Sequence, residues 1–314
     1  MPKQFIGELK PGEHIDSDFM VVEAAMRSAR NGSNYLAMVL ADKTGTIQAR
    51  LWDAPEALAA SLAPDDFVRV KGKAESYRNE LQIGIRAITQ ADASALRLGD
   101  FLPQCSADPA AMMKELHEIM ATIEDPDYRA AADAFLNDEE FCGRFRTAPA
   151  AKANHHSYLG GLLEHTLSMA KLALKILDHY PELRRDILLT GVFLHDIGKT
   201  DELSYARTFR YTTPGNLVGH IVLGVLMLEN RVRELADFPV EKLNMLRHMI
   251  LSHHGQLEFG APKLPVFAEA IALHYIDNID AKLKDFSQFV AEDRSADPEW
   301  TERSWLFQRQ LYKG

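Results

Sequence analysis

Cysteine is nearly absent: Cys105 and Cys142 are the only two in 314 residues. They make at most one bridge and no CxxC pair is present, so neither a disulfide framework nor a cysteine zinc site is expected. This usage fits a reducing compartment, and a cytoplasmic location is expected. Long apolar runs are missing as well. The longest, "LVGHIVLGVLML" at 217 to 228, is too short for a span and carries His220. The opening "MPKQFIGELKPGEHID" lacks a basic patch followed by an apolar core, so neither an export signal nor a membrane partner is expected. Excess positive charge is the third absence. With 35 Lys+Arg against 45 Asp+Glu, the net charge is -10, which argues against a surface coated for nucleic acid.

What is present is a 46% hydrophobic composition, enough core for one large domain or two ordinary ones. The charge is unevenly spread. Residues 1–90 hold 11 Lys+Arg against 12 Asp+Glu and the remainder 24 against 33, so polyanion binding belongs to a local surface of the first segment. Histidine is uneven too. Of 12 histidines, all but His14 and His117 lie between residues 155 and 274.

Residues 18–90 read as strands of period two. "DFMVVEAAM", "YLAMVLAD" and "GTIQARLWD" come first, the last two flanking a turn at Lys43-Thr44-Gly45. A short helix, "PEALAASL", opens on Pro55, and "DFVRVKGKAESYR" and "ELQIGIRAIT" follow around a turn at Asn79. The order strand, strand, strand, helix, strand, strand is that of an OB barrel. Ile47, Ala49 and Leu51 alternate with Gln48, Arg50 and Trp52, one face filling the barrel and the other offering a guanidinium and an indole. Arg69, Lys71, Lys73, Tyr77, Arg78 and Arg86 on the following strands add charge for phosphates and a ring for bases. Ordinary solvation of exposed strands produces the same alternation.

Residues 91–109 mix small residues with prolines and read as a linker; thereafter the apolar period becomes helical to about residue 290. The expected organisation is a barrel over 1–92, a linker over 93–109, a helical domain over 110–290 and a tail over 291–314. Within the helical part, metal-type ligands interrupt apolar stripes: His165, His195-Asp196, His220, His253-His254 and Asp277. A lone histidine in such a stripe is ordinarily a hydrogen-bonded core residue. Two buried aspartates need compensation, which neutral imidazoles with one or two divalent cations supply.

The pattern H…HD…D resembles the HD phosphohydrolase superfamily, an all-helical fold. By that resemblance, His165, His195, Asp196 and Asp277 hold a first metal; His220 and His253, assisted by His254 and with Asp196 bridging, hold a second. Asp196 and Lys199 are the implied catalytic groups, with Lys199 a phosphate contact. Mixed imidazole and carboxylate ligation admits manganese, iron, cobalt or zinc. "KANHHSYLGGLLEHT", "FRYTTPGNLVGHI", "LSHHGQLEFGAPKLP" and "EAIALHYIDNIDAK", following an OB barrel, are similar to the YhaM-type 3′-to-5′ exoribonucleases over essentially the whole chain. The HHExxDGxGYP pattern of cyclic-di-GMP phosphodiesterases is missing after His253-His254.

The resemblance implies a manganese-dependent nuclease acting on single-stranded RNA, and it admits single-stranded DNA as a second substrate and a homo-oligomeric assembly. The alternative is hydrolysis of a free nucleotide or second messenger, the barrel being regulatory. His155 and His156 are expected to cap local structure or touch phosphate. Tyr205, Arg207, Arg210 and Tyr211 form a basic aromatic loop able to grip a nucleotide, and Asp280 is placed to support a ligand histidine. Trp300, Trp305, Phe307 and Tyr312 of the tail are expected to dock on the body or on a neighbouring subunit.

Overall fold

Period-two alternation becomes a closed barrel of strands β1 (His14–Ser28), β2 (Asn34–Asp42), β3 (Gly45–Trp52), β4 (Phe67–Tyr77) and β5 (Glu80–Gln90). The structure, a computed structural model, describes residues 3–29, 32–78, 80–152, 156–205 and 209–314. Asn79, His155 and Arg207 lie outside these. The strand order is β1-β2-β3-β5-β4, with β4 returning to β1; all pairings are antiparallel except β3 with β5. Helix α1 (Glu56–Ser61) joins β3 to β4.

Register explains the core. Leu36 pairs with Leu51, Met38 with Ala49 and Leu40 with Ile47, so the inward set of β2 meets the inward set of β3. Asp42 closes the hairpin: its Oδ1 accepts the amide of Thr44 at 2.8 Å and its Oδ2 that of Ile6 at 2.7 Å. Gly72 stands at a register shift of β4, and a Cβ there would meet Gly84 O at 2.3 Å. Backbone approaches backbone too closely for a side chain.

Contacts divide the chain after Pro103. The stretch 93–103, expected as part of an irregular linker, folds onto the barrel: Asp100 O accepts from Lys43 N at 3.1 Å, and Phe101 packs on Phe67 with ring centroids 4.7 Å apart. An apolar anchor every few residues explains why this segment escaped a periodicity argument.

The second unit contains α2 (Pro109–Met120), α3 (Pro126–Leu136), α4 (Glu139–Thr147), α5 (Gly161–His179), α6 (Arg185–Leu194), α7 (Lys199–Glu202), α8 (Thr213–Leu217), α9 (His220–Val232), α10 (Val240–Ser252) and α11 (Ala268–Glu292). Asp108, Asp125 and Asp138 cap α2, α3 and α4 by accepting first-turn amides, and Pro109 and Pro126 supply fixed φ at the first helical position. Leu162, Leu163 and Met169 of α5, Val192 and Phe193 of α6, Met249 and Ile250 of α10, and Leu273 and Ile276 of α11 share one buried core. The unit departs from all-α in a short ladder of β6 (Leu203–Ser204) with β7 (Arg210–Tyr211). Among the described residues, no helix is long and apolar enough to cross a membrane.

Candidate metal centre

Helix α6 is buried from Ile187 to Leu194, and the chain delivers His195 and Asp196 directly from that apolar run into the interior. Gly198 makes the delivery possible. A Cβ at Gly198 would lie 2.0 Å from His220 O and 2.6 Å from Gly224 N, so the start of α7 and the first turns of α9 touch through backbone. His220, the first residue of α9, is thereby carried to Asp196.

The two oxygens of Asp196 face different partners. Oδ2 lies 3.3 Å from His195 Nε2 and 4.0 Å from His165 Nε2, while Oδ1 lies 3.6 Å from both His220 Nε2 and His253 Nε2. Asp277 Oδ1 adds a second carboxylate 3.3 Å from His165 Nε2. Ligand atoms of His165, His195 and Asp277 form one group within 4.8 Å, and those of His220, His253 and His254 another. One carboxylate therefore stands between two sets of donors.

The imidazoles are oriented from behind. His195 Nδ1 donates to Val192 O at 2.8 Å and His253 Nδ1 to Ile250 O at 2.7 Å, each three residues back at the end of its helix. His254 Nδ1 donates to Phe259 O at 2.7 Å, His220 Nδ1 pairs with Glu202 Oε1 at 3.0 Å and His165 Nδ1 with Asp280 Oδ2 at 2.7 Å. Carbonyls and carboxylates accept only, so the Nε2 atoms turned toward Asp196 carry lone pairs when the rings are neutral. Burial holds His253 well below the usual imidazole range, which keeps it neutral. For His165, burial pulls the pKa down, but Asp277 and Asp280 outweigh it and raise it to about 9. This niche attracts positive charge.

The donor set passes a test of fit for a divalent ion. His195 Nε2, His220 Nε2, His253 Nε2 and Asp196 Oδ1 are buried and, among the described residues, make no hydrogen bond. Orphaned buried polar atoms are costly unless something compensates them. Unpartnered imidazole nitrogens on both sides of one carboxylate are what a metal centre requires.

Lys199 joins them, its Nζ 2.6 Å from Asp196 Oδ2. Burial favours the neutral amine, yet Asp196 prevails and the pKa of Lys199 rises. Asp196 is pushed upward by burial but held well below the usual carboxylate range by Lys199 and His195. A cavity of about 730 Å³ opens over this cluster, lined by Asp196, Lys199, His220, His253, His254 and Asp277, and at its rim by Lys152, Tyr211, Phe259, Lys282 and Trp305. Its size suits a nucleotide-scale ligand.

In the barrel, the predicted nucleic-acid residues separate into two groups. Arg50 lies over the rings of Tyr35 and Tyr77, at 5.6 and 5.0 Å, and Tyr35 packs on exposed Trp52 at 4.9 Å. Arg78 adjoins Tyr77, and Lys73 flanks Gly84 opposite Arg50, with the Glu75 carboxylate close above that glycine. Arg69 belongs elsewhere: it is fastened to Asp16 at 2.8 Å and Asp18 at 2.9 Å, and Lys71 lies 3.6 Å from Asp16. Arg86 is an exposed residue of β5. Arg210 lies on β7, where its neighbour Tyr211 rather than Arg210 itself lines the cavity.

An HD domain model matches residues 162–282 and an OB-fold nucleic acid binding domain model residues 20–90. A putative helicase model matches residues 129–181. The 3'-5' exoribonuclease YhaM of Geobacillus sp. is 36% identical over 304 residues, covering 96% of this chain and 92% of its own. The same-named protein of Bacillus subtilis is 36% identical over 304 residues, covering 96% and 95%. The chain belongs to the YhaM family.

Three residues of this YhaM-family chain that sequence reasoning did not assign to the ligand set stand in or beside the candidate site. Glu202 holds both Nδ1 and the backbone amide of His220, the latter at 2.9 Å. His156, expected as a local cap or phosphate contact, is buried and shares Asp280 Oδ2 with His165, at 3.2 Å. Trp305, expected to dock on the body or a neighbour, stands exposed at the cavity rim, whereas Trp300 packs on Tyr312 and Phe307 on Phe286. For Glu202 the letters give no signal, because an acidic residue in "KTDEL" reads as surface.

Proposed function

We propose that this protein is a metal-dependent 3′-to-5′ exoribonuclease that shortens single-stranded RNA, and also accepts single-stranded DNA, releasing 5′ mononucleotides. The observation that carries the reading is Asp196 between two groups of imidazoles at the floor of a cavity of about 730 Å³. The names of the YhaM relatives supply the reaction class.

In this reading His165, His195, Asp196 and Asp277 would hold one ion, and His220, His253 and His254, together with Asp196, would hold a second. Manganese is the working metal; such an ion activates water and neutralises charge on the phosphoryl group. The chain's own groups do the rest. Nδ1–H donation to Val192 O and Ile250 O fixes the rings of His195 and His253. Lys199, beside the Asp196 carboxylate that raises its pKa, would offer its ammonium to a phosphate oxygen. Residues 1–92 grip the strand through Arg50, Trp52, Tyr77 and Arg78, raising its local concentration for the helical domain, residues 110–290.

Pure protein incubated with manganese and a 5′-labelled single strand tests the reading. A progressive ladder shortened from the 3′ end, with mononucleotides released, is expected. Internal fragments of an otherwise blocked strand would remove the exonuclease mode; hydrolysis of free nucleotides with the strand left intact would replace the substrate.

A further inference from the structure

Trp305 is an unusual residue to leave in water. It is 71% exposed, and among the described residues no ring or cation pairs with its indole. Its backbone, by contrast, is firmly held. Trp300 bridges to Tyr312 and Ser304 to Arg309, Thr301 N donates to Leu311 O at 3.0 Å, and Leu311 N returns a bond to Thr301 Oγ1 at 3.0 Å. Thr301 and Ser304 are buried. Lys313 ties the end of this hairpin to Asp293 at 2.8 Å, and Phe307 packs on Phe286 of α11. A rigid support for an exposed ring is the arrangement of a binding platform, because little ordering entropy is lost when a ligand lands on it.

The surroundings specify the ligand. Trp305 shares its cavity with Tyr211 and Phe259, both exposed, and with Lys152 and Lys282. Planar groups beside ammonium groups complement bases beside phosphates. Lys282 and Asp277 stand on the same helix and both line this cavity. Tyr211 is already engaged by Lys152, 5.6 Å from its ring centre, which leaves Phe259 and Trp305 as open faces, and the indole is the larger and more exposed of the two. We infer that Trp305 is the platform on which the terminal base of a bound strand stacks, with Lys282 and Lys152 neutralising the adjoining phosphates. The inference rests on the nuclease reading above for the identity of the strand. Trp305 is a positioning residue: it sets which bond lies over the metal-type cluster.

Two measurements test it. A five-nucleotide RNA ending in 3′ 4-thiouridine, irradiated with the full-length protein in the presence of a chelator, is expected to attach to the peptide containing Trp305; attachment confined to other peptides overturns the platform. Next, kcat/KM is compared for strands ending in adenosine or in an abasic ribose. Wild type should prefer the base by about 5- to 140-fold, the worth of one stacked base at 1–3 kcal/mol. Trp305→Ala should abolish that preference by slowing the adenosine-ended strand toward the rate of the abasic one, and Trp305→Phe should restore most of it. An equal loss on both strands assigns Trp305 a merely structural role and overturns the inference. Crosslinking at Trp305 with no shortening of any strand by wild type would preserve the platform and remove the nuclease reading.

Discussion

Asp280 accepts the Nδ1–H of His165 at 2.7 Å, and this bond decides which nitrogen of His165 faces Asp196 and Asp277. The same carboxylate receives Ser168 Oγ and, at 3.2 Å, His156 Nε2. A ligand ring held this way keeps its tautomer and its aim, and loss of such support typically weakens metal affinity about 10- to 100-fold. Asp280→Asn is therefore expected to weaken manganese binding by about that factor in titration calorimetry, with circular dichroism unchanged. Unaltered affinity would show that Asp280 does not position His165.

Ion removal should be visible in stability as well as in turnover. A ligand at 100 times its Kd stabilises the state that binds it by about 2.7 kcal/mol. For a domain of this size that corresponds to a rise in Tm of about 5 to 10 °C on adding manganese to chelator-treated protein. Asp196→Asn should abolish both the rise and the phosphodiesterase activity. A variant that kept the full thermal response would place the ion away from Asp196.

Much of this candidate site was legible because its histidines and aspartates interrupt apolar stripes. His165 follows Leu162 by three positions, and Asp277 follows Leu273 by four, so helical periodicity alone turns both inward. His195-Asp196 ends an apolar run for the same reason. The barrel was legible from its alternation, Ile47, Ala49 and Leu51 inward against Arg50 and Trp52 outward. What stayed hidden depends on contacts between distant segments. Glu202 becomes a support for His220 only because Gly198 lets α9 lie against α7, and the fastening of Arg69 by Asp16 and Asp18 depends on the pairing of β4 with β1. Trp305 needed the hairpin of residues 300–312, whose bridging residues show no strand alternation.

Gly198 supports a direct test of the packing argument. Added bulk at Gly198 meets backbone atoms of His220 and Gly224, which cannot rotate away. Gly198→Ala should cost about 1–3 kcal/mol in denaturant unfolding and reduce manganese affinity, because α9 must retreat with His220. Gly143→Ala is the control: it lies within α4, and a Cβ there meets nothing within 4 Å. It should stabilise the protein by about 0.4–1 kcal/mol. Equal effects of the two substitutions would refute the close approach of α7 and α9.

Acid should weaken the helical unit through Glu269. Its carboxylate accepts from Arg184 N at 2.8 Å, Nε at 3.0 Å and Nη2 at 2.8 Å, at the junction of α6 and α11. Burial raises the pKa of Glu269, but the Arg184 bonds prevail and hold it below its ordinary value of 4.5. A depressed carboxylate contributes stability that is present above pH 4.5 and lost as pH falls toward the folded-state value. Glu269→Gln should cost about 1.5–3 kcal/mol at pH 7, with the difference from wild type shrinking as pH drops below that ordinary value. A gap that stays constant from pH 7 to pH 3 would show that the charge of Glu269 contributes nothing.

The barrel separates basic and aromatic side chains open to a strand from basic side chains fastened within the fold. Trp52 is exposed and Arg50 lies among Tyr35 and Tyr77, so stacking and phosphate contact are both available on that face. Arg69 spends its guanidinium on Asp16 and Asp18. In anisotropy titrations with a labelled single strand, Trp52→Ala should weaken binding about 5- to 140-fold, the loss of one stacked base, with little change in salt dependence. Arg50→Ala should lower the slope of log affinity against log salt by about 0.7, the single-strand value for one phosphate. Arg69→Ala should leave affinity and slope nearly unchanged while lowering Tm, since it strands two carboxylates between β1 and β4. A slope change for Arg69→Ala as large as that for Arg50→Ala would place the strand across β4 and displace the Arg50 face as the binding surface.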